Sequence, residues 1–353
     1  MSVPEPSSAS LVVDRAPMVA LGCRLLERAG VPSGHALIVM DHLADASAMG
    51  LHSHGLMRIP QYLQEVATRA IDPAAVPDVR QVSPSRIAVD ARNGFGQVIG
   101  MALVDAVIPV ARELGMAIAA GRHLGHTGRV GAYPEALARA GLIGIAACSG
   151  PPSGHWVAPF GGREGHISTN PIAFAWPARG AEPVVADFST AATAEGVVRS
   201  LRNRGLPTPD GFLRDADGLP TMDPGALYET PRGAIQAFGG PLGYRGTALA
   251  LLVEVLTTLL SDESVDDPTR VGTDMTLIAI QPSDGFGELA ARLSEHIRST
   301  LPIDPMRPVL MPGDRERAAA SGATRLLVDA PTWAALAAVA ADAGLTLPEA
   351  HPA

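Results

Sequence analysis

There is no lysine in this chain; all 27 basic residues among its 353 are arginine. That absence removes several kinds of enzyme at once. No lysine can form a Schiff base, anchor pyridoxal phosphate or reach a phosphate from a glycine-rich loop. Dehydrogenases that use a lysine as their acid or base are excluded as well. Cysteine is almost as scarce. Cys23 and Cys148 are too few for a disulfide framework or a four-thiolate zinc site. Positive charge is outnumbered, with 36 acidic residues and a net charge of −9, whereas a nucleic acid partner would want a basic face. Met1 to Ser10 lacks the basic start and apolar run of a signal peptide. The longest apolar stretch, Thr247 to Leu260, contains Glu254 and falls short of the about 20 residues that span a bilayer. The expectation is a soluble, reduced, cytoplasmic protein with neither nucleic acid nor a membrane as partner.

What is present is enough apolar sequence, 47%, to bury a sizeable core. The length suits one large domain or two to three small ones. After a loose tail over residues 1–10, apolar spacing predicts helices over Leu11 to Gly30, Ser33 to Gly50 and onward to about Arg69. The first 70 residues therefore read as all-helical, followed by a Pro-rich link from Asp72 to Pro84. Strands are expected over 86–90, 116–120, 142–148, 171–176, 183–187 and 275–280. Helices are expected over 96–114, 130–140, 189–203, 244–260 and 284–299, and a turn-rich loop over 205–231. A short strand over 325–328 and a helix over 331–343 close the chain. The fold class is α/β. Residues 1–85 and 300–353 are expected to form a helical domain from both chain ends, with 86–299 as a mixed α/β region for cofactor and substrate.

Two clusters could carry chemistry. In the first, His52 to Tyr62, a regular helix from Met57 would put Arg58 and Tyr62 on one face, with His54 a turn before. A cation, a ring N–H donor and a phenol aimed at one point suit a small carboxylate, since arginine offers a planar fork to two oxygens. The alternative is a polar helix end in solvent. In the second, His123-Leu124-Gly125-His126-Thr127-Gly128 follows a strand. A neutral imidazole of pKa near ~6.5 can take a proton from a hydroxyl, and His126 lies between glycines. His123 reads as a histidine hydrogen-bonded in its loop. The four histidines could also bind a metal, but His52 and His54 would face the same way only in an extended chain, and no carboxylate stands nearby in sequence. Gly94 to Gly100 resembles a dinucleotide fingerprint with one residue too many, and Arg122 and His123 stand where an acidic residue should end the second strand. Asp187-Phe188-Ser189-Thr190 can cap a helix, hold a ribose hydroxyl or orient an imidazole. Gly239 to Gly246, with Arg245, opens a helix and could bind pyrophosphate.

Taken in order, these stretches are more specific than any one of them: Ser53-His54-Gly55 with Arg58 and Tyr62; Asn93 to Gln97; Gly125 to Gly128 with Tyr133; Pro159 to Gly162; Thr169-Asn170-Pro171; Asp187 to Thr190; Gly243 to Gly246; and Pro312-Gly313. The chain resembles the malate/L-lactate dehydrogenase family of the non-Rossmann type, which includes ureidoglycolate, sulfolactate, diketogulonate and piperideine-2-carboxylate oxidoreductases. The resemblance implies a family-specific fold, a homodimer with its site near the subunit interface, and NAD or NADP bound outside any Rossmann unit. Gly94 to Gly100 would then be a structural helix start. It implies that His126 exchanges the substrate proton beside the cofactor, with His54 in the catalytic group. Ser53, His54, Arg58, Tyr62 and Thr169 would hold a small carboxylate. Gly150, Asp187, Phe188, Ser189, Arg245, Pro312, Gly313, Asp314 and Arg315 would hold the cofactor. The expected reaction is hydride transfer between nicotinamide and the α-carbon of a 2-hydroxy or 2-oxo acid. Reduction of a cyclic imine carboxylate is the rival, and a metal-dependent hydrolase is the reading outside the class. Arg245 stands where the family has lysine and Ser168 where it has glycine. The loop from Cys148 to Pro159, with His155 and Trp156, is longer than usual and is expected to reshape the substrate pocket.

Overall fold

A computed structural model describes residues 10–178 and 180–353; the expected tail, apart from Ser10, lies outside them. In chain order the first elements are β1 (Ser10–Asp14), α1 (Arg15–Arg28), α2 (Ser33–Ala48), α3 (Ile59–Ala67), β2 (Asp78–Ser83), β3 (Arg86–Asp90), α4 (Gly96–Leu114) and β4 (Met116–Leu124). Then come α5 (Ala132–Arg139), β5 (Ile143–Ser149), β6 (Ile172–Ala178), β7 (Ala181–Phe188), α6 (Glu195–Asn203) and the short strands β8 (Leu213–Arg214), β9 (Pro220–Thr221) and β10 (Ala234–Ile235). The chain continues with α7 (Gly243–Leu256), β11 (Thr273–Ile280), α8 (Phe286–Arg298), α9 (Asp314–Ala320), β12 (Arg325–Asp329), α10 (Ala330–Asp342) and β13 (Ala350–Pro352).

The main sheet has seven strands in the order β2-β3-β4-β11-β5-β6-β7. Only β3 and β4 are parallel within it, joined by α4, because a parallel pair needs a long crossover and a helix supplies it. A doubly wound parallel sheet is absent among the described residues. Ile99, Leu103 and Val107 of α4 and Tyr133 and Leu137 of α5 pack on Ala119, Ala146 and Leu277 of the sheet to form the largest core cluster. A second cluster joins Met18, Leu21, Met40 and Leu43 of α1 and α2 to Val13, Leu326, Val328 and Leu336 from the two chain ends.

Three expectations change. The first 70 residues are not all-helical: Ser10–Asp14 is a strand, since Leu11, Val12 and Val13 pair with β12 on one side and β13 on the other, partners more than 300 residues away in sequence that periodicity cannot see. The Pro-rich link contains β2, an exposed edge strand that forms because β3 offers it a ladder. The helical run Gly240–Ser261, 22 residues, is long and apolar enough to cross a membrane by length and composition, which the shorter sequence window did not reach. Its Glu254 is buried, however, and accepts hydrogen bonds from Asn170 Nδ2 at 2.9 Å and Thr258 Oγ1 at 3.0 Å.

Candidate active site

Two loops meet at the site, and glycine lets each of them close. The first leaves α2 and passes through two tight turns, His52–His54 and Leu56–Arg58, before α3 starts at Ile59. A side chain on Gly55 would strike Ser47, whose Oγ accepts the Leu56 N–H at 3.0 Å. The second loop, Gly125 to Arg129, leaves the end of β4. Here the glycine stretch that opens α4 finds its use. A Cβ on Gly96 would strike the carbonyls of Gly125 and His126, and one on Gly100 would strike the Tyr133 ring. The start of α4 is thus packed beneath the His126 loop. Gly128 has φ +67°, a left-handed conformation that glycine takes without strain, and the next N–H, from Arg129, donates to His42 Nε2 at 2.8 Å.

The loops bring His54 and His126 into a stack, ring centroids 5.6 Å apart and 20° from parallel. The Tyr62 hydroxyl lies 2.7 Å from His126 Nδ1, and Gln97 Nε2 donates to that hydroxyl at 2.7 Å. Tyr62 and Gln97 are fully buried, so the phenol backs the histidine instead of facing a carboxylate as the regular-helix reading had it. Nε2 of His126 makes no hydrogen bond among the described residues. Burial first, then the positive charges of Arg58 and of the neighbouring histidines, hold His126 well below its ordinary pKa. Burial, Arg58 and Arg129 bring His54 to about 4, and its Nδ1 lies 2.9 Å from Ser53 Oγ. Both rings are neutral near pH 7.

Arg58 is buried, its Nε donating to the Ser53 carbonyl at 2.7 Å and its Nη1 to Gln61 Oε1 at 2.6 Å. Nη2 has no hydrogen-bond partner among the described residues and comes 3.5 Å from where a side chain on Gly196 would start.

From Ser53 and His54 a cleft of about 760 Å³ runs past Thr169, Asp187, Phe188 and Ser189 to Pro312, Gly313 and Arg315. Its walls are tied together. The Thr169 carbonyl accepts from Ser189 Oγ at 2.8 Å and from the Thr190 N–H at 3.1 Å. Asp187 Oδ2 accepts the Gly131 N–H at 2.7 Å. Asp187 is open where it lines the cleft, yet the surrounding protein raises its carboxyl above the ordinary value, opposed by the Gly131 N–H and Arg129. Phe174, also in the wall, meets Phe188 edge-on at 6.5 Å.

Other expected residues stand elsewhere. Gly150 lies behind the wall, its N–H donating to Ser168 Oγ at 2.8 Å and its carbonyl accepting from Arg270 at 2.7 Å. Asp314 is held by the Met311 N–H, Arg298 and Arg317, so it braces the Pro312–Arg315 rim. Arg245 is exposed on α7 beside Tyr244, outside the cleft lining of this chain. His155 and Trp156 do not line the cleft either; Trp156 packs on Tyr228 at 6.1 Å and under Arg232. His123 pairs with Asp90 and Glu263. Among the described residues no three His, Cys, Asp or Glu side chains converge on a metal-sized site.

Sequence reasoning passed over three contributors. Gln97 sits inside the glycine stretch that reads as a phosphate loop. His42 is a lone histidine on an apolar helix, brought to about 3 by burial and Arg129. Arg129 lines the cleft and is paired with Glu135 at 2.5 Å; its place directly after the His126 loop was the available signal.

Neutral, half-buried histidines at one end of a long cleft lined by hydroxyls, a carboxylate and an aromatic edge form a site where a proton can move beside a bound cofactor. The sequence profile of the malate/L-lactate dehydrogenase family matches residues 13–337. The chain is 37% identical over 305 residues to a Δ1-pyrroline-2-carboxylate/Δ1-piperideine-2-carboxylate reductase of Pseudomonas syringae pv. tomato, covering 82% of this chain and 86% of that one. It is 40% identical over 244 residues to a (2R)-3-sulfolactate dehydrogenase (NADP+) of Chromohalobacter salexigens, covering 68% and 69%. A solved dehydrogenase from Sinorhizobium meliloti superposes with a TM-score of 0.86 at 32% identity, over 94% of this chain and 98% of that one. The chain belongs to the malate/L-lactate dehydrogenase family. It is an oxidoreductase that works with a nicotinamide cofactor.

Proposed function

We propose that the protein interconverts a small 2-oxo acid and its 2-hydroxy acid with NAD or NADP. The observation that carries this is the free Nε2 of His126, backed by Tyr62 at Nδ1 and stacked on His54, which lines the cleft. The cleft fits a dinucleotide: its volume is that of a ligand site, and Asp187, Ser189 and the backbone around Gly313 offer polar contacts between Phe188 and Arg315. Held by Asp187, Ser189 and the Gly313 backbone, a nicotinamide cofactor would supply or take up the hydride. Arg58 Nη2 holds the substrate carboxylate, with Ser53 and His54 beside it, each charged hydrogen bond contributing about 1.5–3 kcal/mol. His126 takes the hydroxyl proton at Nε2 in oxidation, from the tautomer that carries its own proton on Nδ1 and donates it to the Tyr62 oxygen. Its lowered basicity makes the charged ring a strong acid that returns the proton in reduction. A carboxylate on Arg58 offsets the second-largest cause of that lowering, so bound substrate makes His126 a better base than in the free enzyme.

A second reading, reduction of a cyclic imine carboxylate, is supported by the activity named for the Pseudomonas syringae relative; the same pocket would deliver the proton to nitrogen. We further place the protein as a homodimer, supported by the exposed leucines and valine at Leu251, Leu252 and Val255 of α7 and Leu289 and Leu293 of α8. Light scattering at micromolar concentration reads the mass directly. The enzymatic test follows absorbance of NADH and NADPH with pyruvate, oxaloacetate and Δ1-pyrroline-2-carboxylate. Oxidation of one cofactor with at least one substrate is expected; inertness across the panel would overturn the proposal.

A further inference from the structure

Helix α6 lies against the carboxylate-binding end of the site without contributing to it in any of the roles above. Ala194, the residue before it, lines the cleft. A Cβ on Gly196 would make ordinary contact there, 3.4 Å from Ser53 Cβ and 3.5 Å from Arg58 Nη2. The missing side chain leaves a gap on that face. Arg199 is three residues on, on the same face, and helical side chains lean toward the helix N-terminus, so it covers the turn that holds Gly196. Its ion pair with Glu195, 3.6 Å across one turn, shows that lean. Arg199 Nε is covered and has no hydrogen-bond partner among the described residues, while the side chain as a whole is 40% exposed. Glu195 is only partly available to Arg199, because its other oxygen accepts the Tyr228 hydroxyl at 2.8 Å. The Arg199 charge also reaches the reacting groups, since it lowers the basicity of both His126 and Arg58.

We infer that Arg199 is a specificity-determining residue that reads a second anionic group on the substrate, so that this chain favours 2-oxo acids carrying a carboxylate or sulfonate beyond the α-carboxylate over pyruvate-like acids and cyclic imine monocarboxylates. The inference rests on the oxidoreductase reading above and narrows its substrate class. Arg58 Nη2 borders the Gly196 gap, and the Arg199 guanidinium lies one helical turn along the same face of α6 with Glu195, at 3.6 Å, as its ion-pair partner. One anion, on Arg58, leaves the Arg199 guanidinium with Glu195 alone; a second anion gives its exposed end another charged partner. A cyclic imine with one carboxylate would put apolar ring carbons against Arg199 and forfeit that contact.

The test is steady-state reduction of oxaloacetate, 3-sulfopyruvate, pyruvate and Δ1-pyrroline-2-carboxylate by the wild type, Arg199→Met and Arg199→Lys. The wild type should favour the two-anion substrates in kcat/KM by about tenfold or more, as one charged hydrogen bond allows. Arg199→Met should collapse that ratio, mainly through KM of the two-anion substrates. Arg199→Lys should restore part of it, and added salt should erode it in the wild type as screening grows. A wild-type preference for pyruvate or the imine, or a ratio unchanged in Arg199→Met that melts like the wild type, would overturn the inference. If no substrate is reduced at all, the broader oxidoreductase reading fails first. If substrates are reduced without the expected ratio, only the role of Arg199 falls.

Discussion

The Tyr62 hydroxyl lies 2.7 Å from Nδ1 of His126, 64 residues further along the chain. Removing it leaves the Nδ1–H of the reacting tautomer with no acceptor among the described residues. Tyr62→Phe keeps the packing against Phe95 (ring centroids 5.8 Å apart) and deletes only that contact and the one to Gln97. The expected result is a fall in kcat of about tenfold, the worth of one buried hydrogen bond, with substrate KM nearly unchanged. A KM effect larger than the kcat effect would return Tyr62 to the substrate.

His126 and Arg58 should separate in kinetics. His126→Ala should lower kcat by about 10²–10⁴, the usual worth of a positioned acid or base, while cofactor affinity by fluorescence titration stays intact. Arg58→Ala should act chiefly on KM. The reverse pattern would exchange their roles.

Stability should fall in mild acid. His42, near 3, and His54, near 4, are half-buried and neutral at pH 7. Their folded pKa values lie below the unfolded value of about 6.5, so between these limits the unfolded chain binds more protons. Their contribution is complete above that pH and is lost as pH falls, at up to about 1.4 kcal/mol per pH unit for each ring. Urea unfolding at pH 7, 6 and 5 measures the slope. His42→Asn should make it shallower; an equal slope in that variant would show that the ring titrates normally in the fold.

The glycines of Gly94 to Gly100 should matter for packing and not for phosphate. Gly100→Ala places a methyl against the fully buried Tyr133 ring, an overpacking that costs about 1–3 kcal/mol or more. Tm should drop. Cofactor affinity of the protein that remains folded should be unchanged, and selective loss of affinity with Tm intact would revive the phosphate-loop reading.

What was legible in the sequence follows the range of the forces involved. Helices such as α2, α4, α7 and α10 were readable because apolar spacing and terminal glycines act within a few residues. β1 was misread because its partners, β12 and β13, come from the far end of the chain. The glycine stretch at 94–100 was visible, but whether it met a phosphate or the His126 loop depended on what packed above it.

By itself the sequence determined which chemistries were open: no lysine for a Schiff base, too few thiols for a four-thiolate zinc site, and two histidine clusters, the first followed by Arg58. Only the tertiary structure decided which groups meet. It turned Tyr62 away from the cleft and onto His126, and supplied Gln97 and His42 as supports. It set α6, which carries Arg199, against Arg58 at Gly196, while Arg245 stayed outside the cleft lining of this chain. The reason is physical: composition limits which side chains exist, but burial and hydrogen-bond geometry depend on contacts between segments far apart in the chain, which no local pattern encodes.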